Sequence, residues 1–223
     1  MAIKNMKLPL PDAHRCVDLL DRVDRFAVLN LKIFKRNRRI VVENDLEARL
    51  IVRERWQRCS ETVIENFIHA NNDLSVAAIQ LLKSWKKRLR ANFVVVAYCP
   101  QYAVFYSVDD YKFYGVVALT DGFDVMLPYK LPVFLETILL PYNEYIIWDG
   151  LVRASADVLD EIVTSTILDA YEEAKNNGEI ITTLQTPLMS NEVVDCGTPA
   201  DSVAHKLGDW HFWKKWRNKF LGW

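Results

Sequence analysis

Two hydrophobic rhythms divide this chain. From about residue 12 to residue 91 apolar side chains recur every three or four positions, and from residue 93 to residue 152 they alternate or run unbroken between turn residues. In the first part Cys16, Leu19, Leu20, Val23, Phe26, Ala27, Ile33 and Phe34 share one stripe behind a candidate N-cap at Asp12. A second stripe from about Asn44 to Ala70 carries Leu46, Leu50, Trp56, Cys59, Val63 and Phe67, with Arg49, Arg53, Arg55 and Arg58 mostly on other sides. Asn71 and Asn72 interrupt it. Asp73 or Ser75 can cap a third helix over VAAIQLLKSWKKRL, which ends in cations that suit a helix carboxyl terminus.

The second rhythm predicts five strands, at 93–98, 103–108, 113–119, 133–140 and 144–151. Asp109 and Asp110 suit one hairpin bend, Pro141 to Asn143 suit another, and a helical turn fits 123–127. Connections this short favour antiparallel neighbours. Helical spacing returns between about 154 and 178 with Val158, Ile162, Ile167, Ala170 and Tyr171, and Gly178 fits its carboxyl cap. A brief strand signal follows at 179–184. Residues 185–205 read as a loop and 206–223 as a Trp-rich basic tail.

The expected fold class is therefore α+β, as a single domain over 1–223. A helical part (12–91) packs on a four- or five-stranded, mainly antiparallel sheet (93–152), followed by the C-terminal helix (154–178), the loop and the tail. The apolar helix faces should cover one face of the sheet.

Composition supports an ordinary globular chain: 223 residues, 51% hydrophobic and 26% charged, with 7 Gly and 8 Pro. A core of that size needs no metal or disulfide. The four widely spaced cysteines, Cys16, Cys59, Cys99 and Cys196, read as reduced. With no leader pattern and no apolar run of spanning length, the expected location is the cytoplasm. The net charge of −1 hides a segregation. Residues 1–92 carry 19 Lys/Arg against 11 Asp/Glu, residues 93–205 carry 4 against 17, and residues 206–223 carry 5 against 1.

The segments FYGVVALTD, LPVFLETILLP and YIIWDGL, preceded by LLKSWKKRL, resemble a family of uncharacterised bacterial proteins that share this succession of helix and strands over roughly residues 74–152. The resemblance implies a bacterial source and carries no activity and no functional residues.

The candidate chemistry is thin. Asp149 before Gly150 reads first as a turn, and only secondarily as a catalytic acid or a metal ligand. Glu136 lies in VFLETILL among apolar neighbours. It either reaches solvent from an edge strand or is desolvated into a general acid or base, and with Asp149 it makes the one candidate acid pair for a hydrolase-type enzyme. His14, His69, His205 and His211 do not stand at zinc spacing, and Cys99 has no sequence neighbour that would activate it. No catalytic residue, metal site or cofactor is assigned. The basic residues Lys83, Lys86, Lys87, Arg88 and Arg90 offer a face for nucleic-acid phosphates or simply a solvated surface. In the tail Trp210, Trp213 and Trp216 recur at helical spacing beside Lys214, Lys215 and Arg217, a pattern that suits packing on the chain's own core, an anchor for a protein partner, stacking on nucleic-acid bases or a membrane interface. The leading expectation is a non-catalytic protein-binding or regulatory module, with nucleic-acid binding through the basic helices and a carboxylate-pair enzyme as alternatives.

The strand pattern requires Val94, Val96, Val104, Val116, Ile138 and Ile146 to be mainly buried. Ile138→Asp should therefore lower the melting temperature markedly, read by thermal unfolding; an unchanged transition would overturn the sheet core.

Overall fold

The computed structural model describes residues 6–33, 46–127, 130–154 and 160–184. The helices are α1 (Leu10–Asn30), α2 (Leu46–Arg58), α3 (Ser60–Ala70), α4 (Val76–Ser84), α5 (Phe123–Met126) and α6 (Glu161–Asn177). The strands are β1 (Leu89–Tyr98), β2 (Ala103–Ser107), β3 (Phe113–Val117), β4 (Val133–Tyr142), β5 (Tyr145–Trp148) and the two-residue β6 (Arg153–Ala154). The α+β class follows directly.

Local chemistry sets most boundaries, and three departures have local causes. α1 begins two residues before Asp12 because Pro9 and Pro11 supply the φ and the missing N–H that a first turn accepts; Asp12 sits inside that turn. The long second stripe is two helices rather than one, since the chain leaves helical geometry at Cys59 (φ −112°, ψ 28°) and starts α3 at Ser60. The helical reading of residues up to 91 also runs too far. A 3₁₀ turn at Trp85–Lys87 ends that helix, and Leu89 already belongs to β1. Ser75 is the cap of α4, its side chain accepting from the Ala78 N–H. Gly178 closes α6 at φ +70°, a conformation that costs a glycine little.

The sheet differs from the expectation in closure. β1, β2 and β3 form an antiparallel meander, and β4 returns to lie antiparallel to β1, which gives the spatial order 4-1-2-3 of a Greek key. β5 then enters between β4 and β3, antiparallel to the first and parallel to the second. The hydrogen-bonded ring β1-β2-β3-β5-β4-β1 is a small five-stranded barrel. The parallel pair is short, Val116 with Ile146 and Val117 with Ile147. It was not legible because β5 reaches β3 only after the chain has passed through α5 and β4. A bulge between Val95 and Ala97 adds one residue to β1 and bends it, so the same strand serves β2 on one side and β4 on the other.

Closure creates an inside and an outside where a single covered face was expected. Phe93, Val95, Ala103, Phe105, Tyr114, Val116 and Trp148 belong to the main core, which continues into α1 to α4 through Leu20, Val52, Trp56, Phe67 and Leu82. Ring contacts run Tyr114–Phe93–Phe105–Phe123–Trp148, with centroids 5.1 to 6.4 Å apart. The alternate residues Val94, Val96, Val104 and Phe113 form a second cluster under Ile167, Tyr171 and Ala174 of α6. Helices thus cover the barrel from more than one side. Val94, Val96, Val104, Val116, Ile138 and Ile146 are all buried.

Other details correct the sequence reading. The expected strand at 179–184 reduces to one bridge, in which Ile181 donates to Phe113 O and accepts from Gly115 N–H beside β3. Ile162 is 76% exposed and does not belong to the packed side of α6. Cys16 and Cys99 are free thiols, whereas Cys59 is disulfide-bonded, which corrects the expectation of four reduced cysteines. Cysteines this far apart leave no spacing signature of pairing. The expected loop 185–205 and the tail, with Trp210, Trp213, Lys214, Lys215, Trp216 and Arg217, lie outside the described residues. No described helix is long and apolar enough to cross a membrane.

Candidate functional site

The most concentrated chemistry lies where α1, α2 and the end of β5 meet. Asp24 of α1, Arg53 of α2 and Asp149 after β5 are each no more than 3% exposed. Arg53 donates from Nε and Nη2 to the two carboxylate oxygens of Asp24, at 2.9 and 2.8 Å, a two-pronged pairing that fixes the guanidinium plane. Trp56, three residues further along α2, donates its Nε1–H to Asp24 Oδ1 at 2.7 Å. The remaining guanidinium nitrogen, Nη1, donates to the backbone oxygen of Asp149 at 2.6 Å and meets its Oδ2 at 3.3 Å.

Asp149 is held from the other side by its own turn. Gly150 at φ +81° reverses the chain, and this lets the Leu151 N–H donate back to Asp149 Oδ1 at 3.1 Å. Thr137 on β4 donates to Leu151 O at 2.8 Å and lies 3.4 Å from Asp149 Oδ1. The turn reading of the Asp-Gly pair is therefore right, and the same carboxylate points inward onto a cation. Arg53 was placed on the polar side of its helix by the sequence pattern. Its burial is a correction whose cause is the two carboxylates that wait for it 29 and 96 residues away.

One guanidinium serves two buried carboxylates, so the cluster is short of one positive charge when both are ionised. Burial pushes the Asp149 carboxyl above the usual range, with Asp24 adding to the rise; Arg53 and the Leu151 N–H oppose it. For Arg53 burial works against the charge, but the charge and hydrogen bonds of Asp24, then Asp149 and Asp21, more than offset it and raise its pKa. Asp21, half-buried beside Arg49 at 2.9 Å, also has a raised pKa, chiefly from burial.

A small open cleft of about 40 Å³ lies over this cluster, lined by Leu50, Arg53, Glu54, Arg90, Glu136, Thr137, Ile138, Asp149 and Leu151. The structure thus brings Glu136 and Asp149 to one cleft, as the acid-pair alternative requires. Each carries an arginine there. Glu136 accepts from Arg90 Nη2 at 2.7 Å, a diagonal cross-strand pair, since Arg90 stands opposite Ile138 on β1 and β4. Arg90 also reaches Glu54 at 3.3 Å. β4 is not an edge strand, being bonded to β1, β5 and β6. Glu136 keeps 31% side-chain exposure because it points outward beside Arg90.

The basic face is also spent partly on the fold. Lys86 pairs with Glu65, and the half-buried Arg88 donates to the Ser60 hydroxyl. Cys99 sits in a tight turn closed by its N–H to Tyr102 O, with its Sγ 3.9 Å from the Tyr171 hydroxyl. Among the described residues no three His, Cys, Asp or Glu side chains are placed to hold a metal. His14 and His69 are exposed, and His205 and His211 lie outside the described residues. Sequence reasoning missed Asp24 and Arg53. The available signal was a carboxylate in the middle of α1's apolar stripe, in step with Leu20 and Ala27.

No family model, curated protein or solved structure matches this chain.

Removing one partner of a buried ion cluster leaves an uncompensated charge, so Arg53→Met should lower the unfolding free energy by about 3–5 kcal/mol, measured by denaturant titration. Asp149 gives a pH signature. Its folded pKa lies above the unfolded value of about 3.9, so between the two the folded state binds more protons and stability from this group falls as pH rises. The stability of the wild type minus that of Asp149→Asn should accordingly decrease as pH is raised from about 4; a difference that does not vary with pH would contradict the raised pKa.

Proposed function

We propose that this protein is a non-catalytic protein-binding or regulatory module whose partner-binding element is the C-terminal tail, with Trp210, Trp213 and Trp216 as anchors and Lys214, Lys215 and Arg217 beside them. The observation that supports this reading is the internal use of the groups that chemistry would need. Asp149 is engaged by Arg53, Glu136 by Arg90, and the cleft above them has room for little more than water. A carboxylate pair fixed in this way serves architecture better than proton transfer. Aromatic anchors flanked by cations are what concentrated interface energy calls for.

One observation favours nucleic acid as a second reading. The five-stranded Greek-key barrel is an architecture shared with oligonucleotide-binding barrels, an analogy of fold alone. In those barrels the face of strands 2 and 3 is the binding platform. Here Val104 and Phe113 on that face lie beneath Ile167, Tyr171 and Ala174 of α6. Lys86, Arg88 and Arg90 are drawn into internal contacts as well. A nucleic acid would have to use other surface, against the acidic excess of residues 93–205.

The test compares the full chain with its Trp210→Ala, Trp213→Ala, Trp216→Ala variant. The wild type should retain a specific protein that rebinds after purification, and the variant should lose it while keeping the far-ultraviolet dichroism of the folded chain. Retention of single or double strands by both, weakening steeply with salt, would overturn the reading in favour of nucleic acid.

A further inference from the structure

The outer face of α6 carries an unusual pairing of charge and apolar surface. Ile167, Tyr171 and Ala174 face the barrel. At 3.6 residues per turn Glu161, Asp169, Glu172 and Glu173 fall within roughly one third of the circumference on the opposite side. All four are exposed. Ile162, 76% exposed, lies within that stripe, and Leu168, 36% exposed, lies at its border. From Asp160 to Glu179 six acids face one cation, Lys175, which is itself engaged by Glu172 and lies over the Tyr171 ring.

The complementary segment is in the same chain. Residues 206–223 carry Lys206, Lys214, Lys215, Arg217 and Lys219 against Asp209, together with Trp210, Trp213, Trp216 and Trp223. The chain leaves the described fold at Leu184, which is buried, six residues after the cap of α6.

We propose that the basic Trp-rich tail docks on the acidic outer face of α6 in its own chain. Its cations lie against Glu161, Asp169, Glu172 and Glu173, and its tryptophans cover Ile162 and Leu168. The inference rests on the tail being the partner anchor and adds a regulation to it: the anchor is shielded until a partner competes it off. Attraction between exposed charges is screened by salt, so the docking is reversible by ionic strength. Trp burial supplies the part that salt does not remove.

Limited trypsin digestion of the full chain tests this directly, because no Lys or Arg lies between Lys175 and Lys206, so tail cleavage is identified by fragment mass. At about 0.05 M salt the tail should be cut slowly, and at about 0.5 M salt roughly tenfold faster. The Glu161→Gln, Asp169→Asn, Glu172→Gln, Glu173→Gln variant leaves the barrel-facing side of α6 untouched. It should be cut at the fast rate in both salts. Equal rates in wild type and a folded variant would overturn the docking, as would a wild-type rate indifferent to salt, which needs no variant. Protection that grows with protein concentration would place the tail on a second copy and overturn the intrachain form. If docking fails while the tryptophan variant still loses its partner, the anchor reading survives alone.

Discussion

One guanidinium organises this molecule. Arg53 ties α2 to α1 through Asp24, and both helices to the turn after β5 through Asp149, so a single side chain joins segments 29 and 96 residues apart. Three buried charges are an expensive way to gain stability, since desolvation opposes most of their mutual attraction. Their value lies in geometry. The forked contact with Asp24 admits one orientation of the guanidinium, and only with α2 in that rotation does Nη1 meet the Asp149 carbonyl. An apolar contact at the same place would tolerate sliding.

The same constraint bears on the barrel. Asp149 N–H donates to Ile138 O, and Thr137 next to it on β4 donates to Leu151 O, so the β5 exit turn is fastened to the middle of β4. β5 has four residues, and its parallel contact with β3 is two residues long. A strand that short gains little register from its own ladder. The buried cluster at its end, with Trp148 packed on Phe123, holds it where it can close the ring.

Closure also decides what the molecule offers outward. With the strands bonded in a ring, the described strands leave no long free edge, and α6 covers Val104 and Phe113 of the strand 2–3 face. The second acid–base group, Arg90 between Glu54 and Glu136, sits at the surface above the Arg53 cluster and repeats its motif of one cation between two acids in a wetter setting. Charge is segregated along the chain, with an acidic outer face on α6 and an excess of Lys and Arg in the sequence of residues 206–223.

Most elements were legible because their signals are local. The Ser75 and Gly178 caps, the bend at Asp109 and Asp110, and the apolar runs of β1 to β5 each depend on a few neighbouring residues, and the structure has them nearly where the spacing put them. The sequence by itself determined the α+β class, the places of β1 to β5 and the burial of Val94, Val96, Val104, Val116, Ile138 and Ile146; that two different layers cover the two sides of β1 came from closure of the barrel. Tertiary structure decided the rest. Parallel pairing of β3 with β5 depends on where β4 returns, and the exposure of Ile162 on which side of α6 the barrel takes. Asp149 is the clearest case. Its turn with Gly150 is written in two adjacent residues, but whether its carboxylate faces water or a cation depends on Arg53, which only folding brings to it, because an ion pair between distant segments leaves no periodic trace in either of them.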